Sequence, residues 1–504
     1  MSIESRLFSI VLVITLLNCS ISPTSIADEK TLRFGIQLLP SSYGNPYVGV
    51  SLPGNLPLQA IFDSLTRVGD DGSPEPWLAT SWHPENKYTW VLKLRKNVQF
   101  SNGEPFDAYT VVDTVNYLLS EQGRRETIGT HLTRVAVTGA QARGSHVVEI
   151  VTSRPNAILP IHLDYLRIPA PNHWRDMGRD KFALDPVGTG PFEVERWKEG
   201  HISLKANRKS WRAPFLARVE IIQVADQAAR VQALLSGSLD VAFNVGPEDR
   251  AAVENAGGRL IVYRNPGVYY IQYLSVKDSP LQSLKVRQAL NYAVNKELIV
   301  KVLFDGGTVP VSQIAHPQAF GYNTNLTPYP YDPAKAESLL DEAGYRDGFR
   351  FSIYMVGGGA NDLQAHQQVA ADLARIGVTM DIQRTTLAKY LEYMYQTSWP
   401  DPIVGFSMFT SGFDPMHGYR TRSCRWTPMY YCDPDIMPLI DMAEAAFDLE
   451  TRRKLVGKVL AFERNNPSGL YLWQAPSFDA ISSGVTGYKA TGDFVRFHEI
   501  ALGD

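Results

Sequence analysis

The sequence predicts an α/β fold made of two α/β lobes with an additional, smaller lobe. Three patterns carry that expectation. Two strand–helix–strand units lie far apart in the chain, an antiparallel stretch precedes both, and the length is 504 residues. Single hydrophobic cores stop growing at roughly 250–300 residues, so more than one domain is required.

In the first unit, VEIIQV (219–224) reads as a strand, AARVQALLS (228–236) as a helix ended by Gly237, and LDVAFNV (239–245) as the next strand. In the second, FRFSIYMV (349–356) sets Phe349, Phe351, Ile353 and Met355 on one face. The run GGGAND then turns, a helix continues to Ile376 ahead of Gly377, and VTMDIQ (378–383) returns. Such crossovers are almost always right-handed and give parallel sheets covered by helices.

Between the units, SLKVRQALNYAVNKELIVKVLF repeats Val286, Leu290, Ala293, Val294, Ile299 and Val302 at helical spacing. In YDPAKAESLLDEAGY, Asp332 fits the N-cap, Pro333 the first helical position and Gly344 the left-handed stop. The stretch from Ile61 to Pro191 has another character. There KYTWVLKLRKNVQFSNGEPF alternates Tyr88, Trp90, Leu92 and Leu94, a half-buried antiparallel strand followed by a turn at Asn102 and Gly103.

Composition narrows the function classes. Hydrophobic content of 44% and charged content of 20% are ordinary for a globular interior. A net charge of -3 without a basic stripe argues against nucleic acid as partner. The apolar run from Leu7 to Leu17 is shorter than the roughly 18 residues a spanning helix needs. It reads as the core of a secretory signal with Arg6 ahead of it, residues 1–27 being removed by cleavage before Asp28. A lipid anchor at Cys19 is the alternative, but Asn18 stands where a small residue is wanted. Cleavage leaves Cys424 and Cys432, which an oxidising compartment lets pair as a disulfide. Two unrelated buried thiols are the other reading.

Catalytic and phosphate-binding signatures do not emerge. Gly188-Thr189-Gly190 continues as Pro191-Phe192-Glu193, so the dinucleotide fingerprint fails at its third glycine. No H-E-x-x-H and no G-x-S-x-G occurs. The Gly357-Gly358-Gly359 turn could approach a ligand, although glycine runs between strand and helix are commonly only turns. The ten histidines have no metal-ligand spacing, and His417 stands alone. No cofactor, no metal and no enzymatic activity are expected.

The run IFDSLTRVGDDGSPEPWLATSWHPENKYTWVLKLRKNVQFSNGEPFDAYTVVDTV closely resembles the signature region of the family 5 extracellular solute-binding proteins. PVGTGPFEVERW, ARVQALLSGSLDV, LKVRQALNYAVNKELI and GYNTNLTPYPYDPAKAESLLDEAGYRDGF follow in that family's order. The resemblance extends over essentially the whole mature chain. It implies a type II periplasmic binding protein, with two α/β lobes joined by crossing strands, an added inserted lobe, and ligand enclosed between lobes. On that basis lobe I comprises 28–60, 195–290 and 478–504, lobe II is the insertion 61–194, and lobe III is 291–477. Trp77, Leu78, Trp82, Trp90, Pro191 and Phe192 are expected to pack rather than bind.

The resemblance also implies a function: binding a small solute, a peptide, for the permease and ATPase subunits of an ABC importer, by a monomer in the periplasm. Nickel, an opine-like or another conjugated solute is the alternative cargo, and a secreted hydrolase is the rival of another class. Peptide-binding relatives carry a tryptophan, then an acid that meets the peptide ammonium, then an acid–proline pair. Here Phe409 takes the tryptophan position, Gly412 falls where the ammonium partner would be, and Asp414 aligns with the acid before Pro415. A buried ammonium without its acid loses several kcal/mol of solvation. Either Asp414 has taken the role or the cargo is not a simple free-amino peptide. Arg420, Arg422 and Arg425 offer donors to a carboxylate, with solvated loop charge as the other reading. Tyr43, Asn45 and Tyr47 in PSSYGNPYVG are the first-lobe candidates.

Overall fold

The computed structural model describes residues 30–48, 54–356, 361–396, 398–419, 422–491 and 494–503. The proposed signal segment with Cys19, the Gly357-Gly358-Gly359 turn and Arg420 lie outside the described residues, as does the side chain of His417.

Ten of the described strands form one continuous sheet. Its order is Val378–Thr385, Phe349–Val356, Val404–Ser411, Arg259–Tyr273, Gly469–Ile481, Val241–Ala242, Thr31–Ile36, Arg218–Gln223, His201–Ala206 and Phe192–Lys198. Both strand–helix–strand units are present. In the second, Phe349 pairs with Val378 in parallel, with the helix Asp362–Ala374 between the strands in sequence. The strands of the first are not neighbours, because Thr31–Ile36 lies between Arg218–Gln223 and Val241–Ala242, parallel to both.

The long strands Arg259–Tyr273 and Gly469–Ile481 run antiparallel through the middle of the sheet and belong to both halves. Their ladder slips between Arg264 and Val268, where Arg264 faces Pro476 and Pro266 follows two residues later. Proline has no N–H to give a ladder, and this is where the two halves meet.

A separate four-stranded antiparallel sheet contains Ala79–Asn86, Thr89–Leu94, Val147–Thr152 and Val137–Ala142. It is the strand-rich insertion. Trp90, Leu92 and Leu94 are buried, and so is Val91, because the strand has a neighbour on each edge and is covered on both faces. Its core is continuous with that of the first half, joining Leu92, Val111 and Ile150 to Phe34 and Ile221. A second core gathers Val286, Leu290, Ile353, Val369 and Leu472. Helix Leu284–Tyr292 contributes Val286 and Leu290 to this core, which also takes in Val231, Leu234 and Val253 of the first strand–helix–strand region.

Two helix expectations fare differently. Asp332 accepts from the Lys335 N–H at 2.9 Å as N-cap of Pro333–Glu342, and Gly344 is left-handed with φ 82°. The single periodic stretch after Ser283 is instead two helices, Leu284–Tyr292 and Lys296–Leu303. Asn295 interrupts it, its side chain accepting from the Leu298 N–H at 3.1 Å while its own N–H donates to Asp372 Oδ2 at 2.9 Å. The phase changes at that break, so Val302 is 66% exposed rather than buried. No helix of the described residues is long and apolar enough to cross a membrane.

Candidate ligand-binding site

Strand Val404–Ser411 leaves the sheet beside Arg259–Tyr273, and the loop that follows begins at Gly412. Gly412 has φ 103°, a region glycine enters without steric cost. Its N–H donates to the Pro266 carbonyl at 2.8 Å, at the slip in the crossing strands. Its carbonyl lies 3.2 Å from His316 Nε2, whose Nδ1 is 3.0 Å from Gln318 Oε1. That amide oxygen accepts from Gln474 Nε2 at 3.2 Å. The loop is thus tied to both crossing strands, and burial lowers the His316 pKa, favouring a neutral ring.

Asp414 begins the short helix Pro415–Tyr419 and accepts from the Met416 N–H at 3.1 Å. Its Oδ2 is 3.7 Å from His162 Nε2 and 3.6 Å from Arg452 Nη2. His162 ends the insertion helix Leu159–His162, whereas Arg452 stands in Leu449–Asn465. The carboxylate, 11% exposed, therefore bridges the insertion to the second half.

A cavity of about 310 Å³ opens beside this bridge, with His131, Arg134 and Tyr165 on the insertion side and Gly412, Phe413 and Asp414 opposite. That volume is at the lower end of roughly 300–1,000 Å³ for small-molecule sites. The rings of His131 and Tyr165 meet at 4.9 Å. Arg125 and Asp164 also line the space, and Asp164 is ion-paired with Arg67 at 2.9 Å. A smaller cavity of about 40 Å³ is bordered by Arg134, Arg154, Arg452 and Asp414. Among the described residues no cluster of three or more His, Cys, Asp or Glu side chains could hold a metal ion.

Of the residues singled out from the sequence, Gly412 and Asp414 line this cavity. Phe409 lies just before the loop, 42% exposed, its ring 5.3 Å from Tyr269. The first-lobe candidates do not reach the space. Tyr43 packs toward Trp197 with ring centres 6.1 Å apart, on the strand at the far edge of the sheet. Asn45 is buried, its side chain accepting from the Tyr47 N–H at 3.0 Å, and Tyr47 is wedged against Tyr117 and Trp174. Tyr47 thereby fastens this loop to the insertion, and Tyr43 rests on the main sheet.

Arg422 is also a packing residue, fully buried with its guanidinium 4.7 Å above the Tyr270 ring and 5.3 Å from that of Tyr419. Arg425 is exposed and ion-paired with Asp441 and Glu444. Cys424 and Cys432 are joined by a disulfide. The residues that sequence reasoning missed, His131, Arg134, His162, Tyr165, His316 and Arg452, are scattered through the chain with no shared spacing. The fold alone brings them together.

This architecture is a two-lobed α/β fold shared with solved structures. A periplasmic binding protein DppA from Helicobacter pylori, solved with the peptide STSA, superposes with a TM-score of 0.78 at 22% identity over 94% of this chain and 98% of that one. Residues 73–423 match the family described as bacterial extracellular solute-binding proteins, family 5 Middle, and the chain belongs to that family. That family is one of solute-binding proteins.

Among curated relatives, a glutathione-binding protein of Salmonella paratyphi A is 31% identical over 301 residues, 58% of this chain. The match spans only 57% of that relative's length. A dipeptide-binding protein of Escherichia coli K12 is 25% identical over 448 residues, covering 82% of this chain and 83% of the relative.

Proposed function

We propose that this protein is the periplasmic substrate-binding component of an ABC importer, taking a small peptide or peptide-like solute. The carrying observation is a cavity walled on one side by the insertion and on the other by the 412–414 loop. A guest held there touches two bodies at once, and a ligand that contacts both favours the closed arrangement. The dipeptide- and glutathione-binding relatives support peptide-like cargo.

In this reading the lobes change over at the slip in the crossing strands, near 264–268 and 474–476, and the Gly412–Pro266 hydrogen bond links the site to that hinge. Asp414 acts as a bridge that closes the cleft, and Gly412 leaves space for cargo. Residues 1–27 act as an export signal, cleavage before Asp28 releases a soluble monomer, and membrane permease and ATPase subunits receive the cargo.

The test is mass spectrometry of the solute that co-purifies with the mature protein from its host, with calorimetry against peptide pools and against nickel with histidine. The expected result is one small organic solute per chain, released unchanged. Binding of nickel–histidine with indifference to every peptide pool would replace the peptide reading. Turnover of the bound solute would replace the receptor reading altogether.

A further inference from the structure

We propose that this protein carries a second binding site, for a neutral sugar ring, between the insertion and the loop around Tyr47. A cavity of about 380 Å³ opens there, floored by Tyr47, Tyr117 and Trp174. That volume lies within roughly 300–1,000 Å³ for small-molecule sites. It shares no lining residue with the cavity beside the 412–414 loop or with the smaller one next to it. The two sites are therefore separate, and this inference does not depend on what the first one holds.

Three elements build the floor. Helix Ala108–Leu119 carries Tyr117, helix Pro171–Leu184 carries Trp174, and Tyr47 comes from the first-half loop. Tyr47 stacks on Tyr117 with ring centres 5.4 Å apart, and Trp174 meets each of them edge-on at 5.0 Å. Tyr47 is buried while Tyr117 and Trp174 are half-buried. Rings in such close mutual contact leave no gap for a cation among them, so they make a platform and not a cage. Gly178, with φ 69°, interrupts the Trp174 helix at the cavity, where a Cβ would meet nothing within 4 Å.

The rim is polar, planar and balanced in charge. Arg175 Nη2 lies 3.5 Å from Asp113 Oδ2, both side chains being more than half exposed, and Arg179 Nε lies 2.7 Å from the buried Glu126 carboxylate. No surplus charge remains to draw an anion or a cation. Asn116 and Gln122 also line the cavity, both exposed, and among the described residues their side-chain amides make no hydrogen bond. Each amide offers two donors and an acceptor.

A hexose ring matches both features. One of its faces is a sheet of C–H bonds, which lies against the negative face of an aromatic ring. Its edge is a row of hydroxyls that donate and accept, as the amide, carboxylate and guanidinium groups of the rim require. A purely apolar guest would cover those amides without bonding them, which costs free energy.

The test titrates the full mature chain by calorimetry with maltotriose, a free sugar, and with chitotriose, a fragment of wall-type glycan. Saturable binding of at least one is expected. Binding of maltotriose alone assigns the site to soluble sugar, and binding of chitotriose alone assigns it to glycan. Asn116→Ala combined with Gln122→Ala should weaken binding by about 10-fold or more, since two hydrogen-bonding groups are lost, and should leave the thermal midpoint unchanged because both side chains face water. The solute that co-purifies with the protein should not displace the sugar. Failure of both saccharides to bind, binding that the double variant leaves intact, or displacement by the co-purified solute overturns the inference, and in each case the importer reading stands.

Discussion

Asp63 is where the insertion leaves the first half, and its two oxygens accept from four side chains. Trp77 Nε1 and Arg212 Nε donate to Oδ1, each at 2.7 Å, while Thr189 Oγ1 and Trp211 Nε1 donate to Oδ2 at 2.8 and 2.9 Å. Both ends of the insertion are thereby pinned to one buried carboxylate. Asp63→Ala should destabilise by about 3–5 kcal/mol, since it strands the Arg212 charge inside, and a lowered denaturant midpoint is the readout. The sequence marked Trp77 as packing, which it does, but its acid partner is invisible in a linear reading because the four donors come from three separate stretches. Two other buried groups set a pH response. Burial pushes the Asp479 carboxyl up to about 6, against hydrogen bonds from the Asn244 N–H and Tyr488. A raised acid favours the protonated folded form, so its contribution is full below the unfolded value near 4 and is lost as pH rises through 6. Burial, and then Arg212, lowers His498 to about 4, so its contribution is present above pH 6.5 and is lost on acidification toward 4. Asp479→Asn should gain stability relative to the parent by up to about 3 kcal/mol between pH 4 and pH 7, read from denaturant midpoints across that range. A difference independent of pH would refute the assignment.

Among the elements, local signals were legible wherever a backbone rule and a hydrophobic period agreed. Asp332, Pro333 and Gly344 each impose a backbone requirement, and the helix Pro333–Glu342 starts and stops where they direct. The stretch after Ser283 was misread because an apolar period continues across a break that only Asn295 marks, and asparagine is common both in helices and at their caps. Asn295→Ala should cost about 1 kcal/mol through loss of the cap to the Leu298 N–H, and Asn295→Asp should cost much less. Val302→Lys, which a single buried helix would not tolerate, should change stability by no more than about 0.5 kcal/mol because the side chain faces water. The crossing strands were not legible as such. Their slip lies where Pro476 faces Arg264 and Pro266 follows two residues later, a coincidence of residues separated by most of the second half.

For the whole molecule, the two-body arrangement and the strand-rich insertion could be read from pattern, whereas the site could not. Gly412 and Asp414 were identifiable through resemblance, but the wall opposite them is made of insertion residues with no motif of their own. What holds the two walls together is equally non-local. Ile158 and Ile161 of the insertion are buried in one core with Ala315, Phe320 and Met416 of the second half, beside the Asp414 bridge to His162. If closure is the functional motion, this apolar seam is covered when the cleft shuts and wetted when it opens. Ile161→Glu then penalises the closed state, because a carboxylate there is taken out of water when the seam shuts. Affinity for the co-purified cargo should fall by about 10- to 100-fold, since a ligand that needs the closed form must also supply the cost of reaching it. Small-angle scattering separates this from simple misfolding. The ligand-free variant should match the ligand-free parent in radius of gyration, yet cargo at concentrations that contract the parent should leave the variant extended. A variant that contracts with the same cargo at the same concentration would show that the seam takes no part in closure.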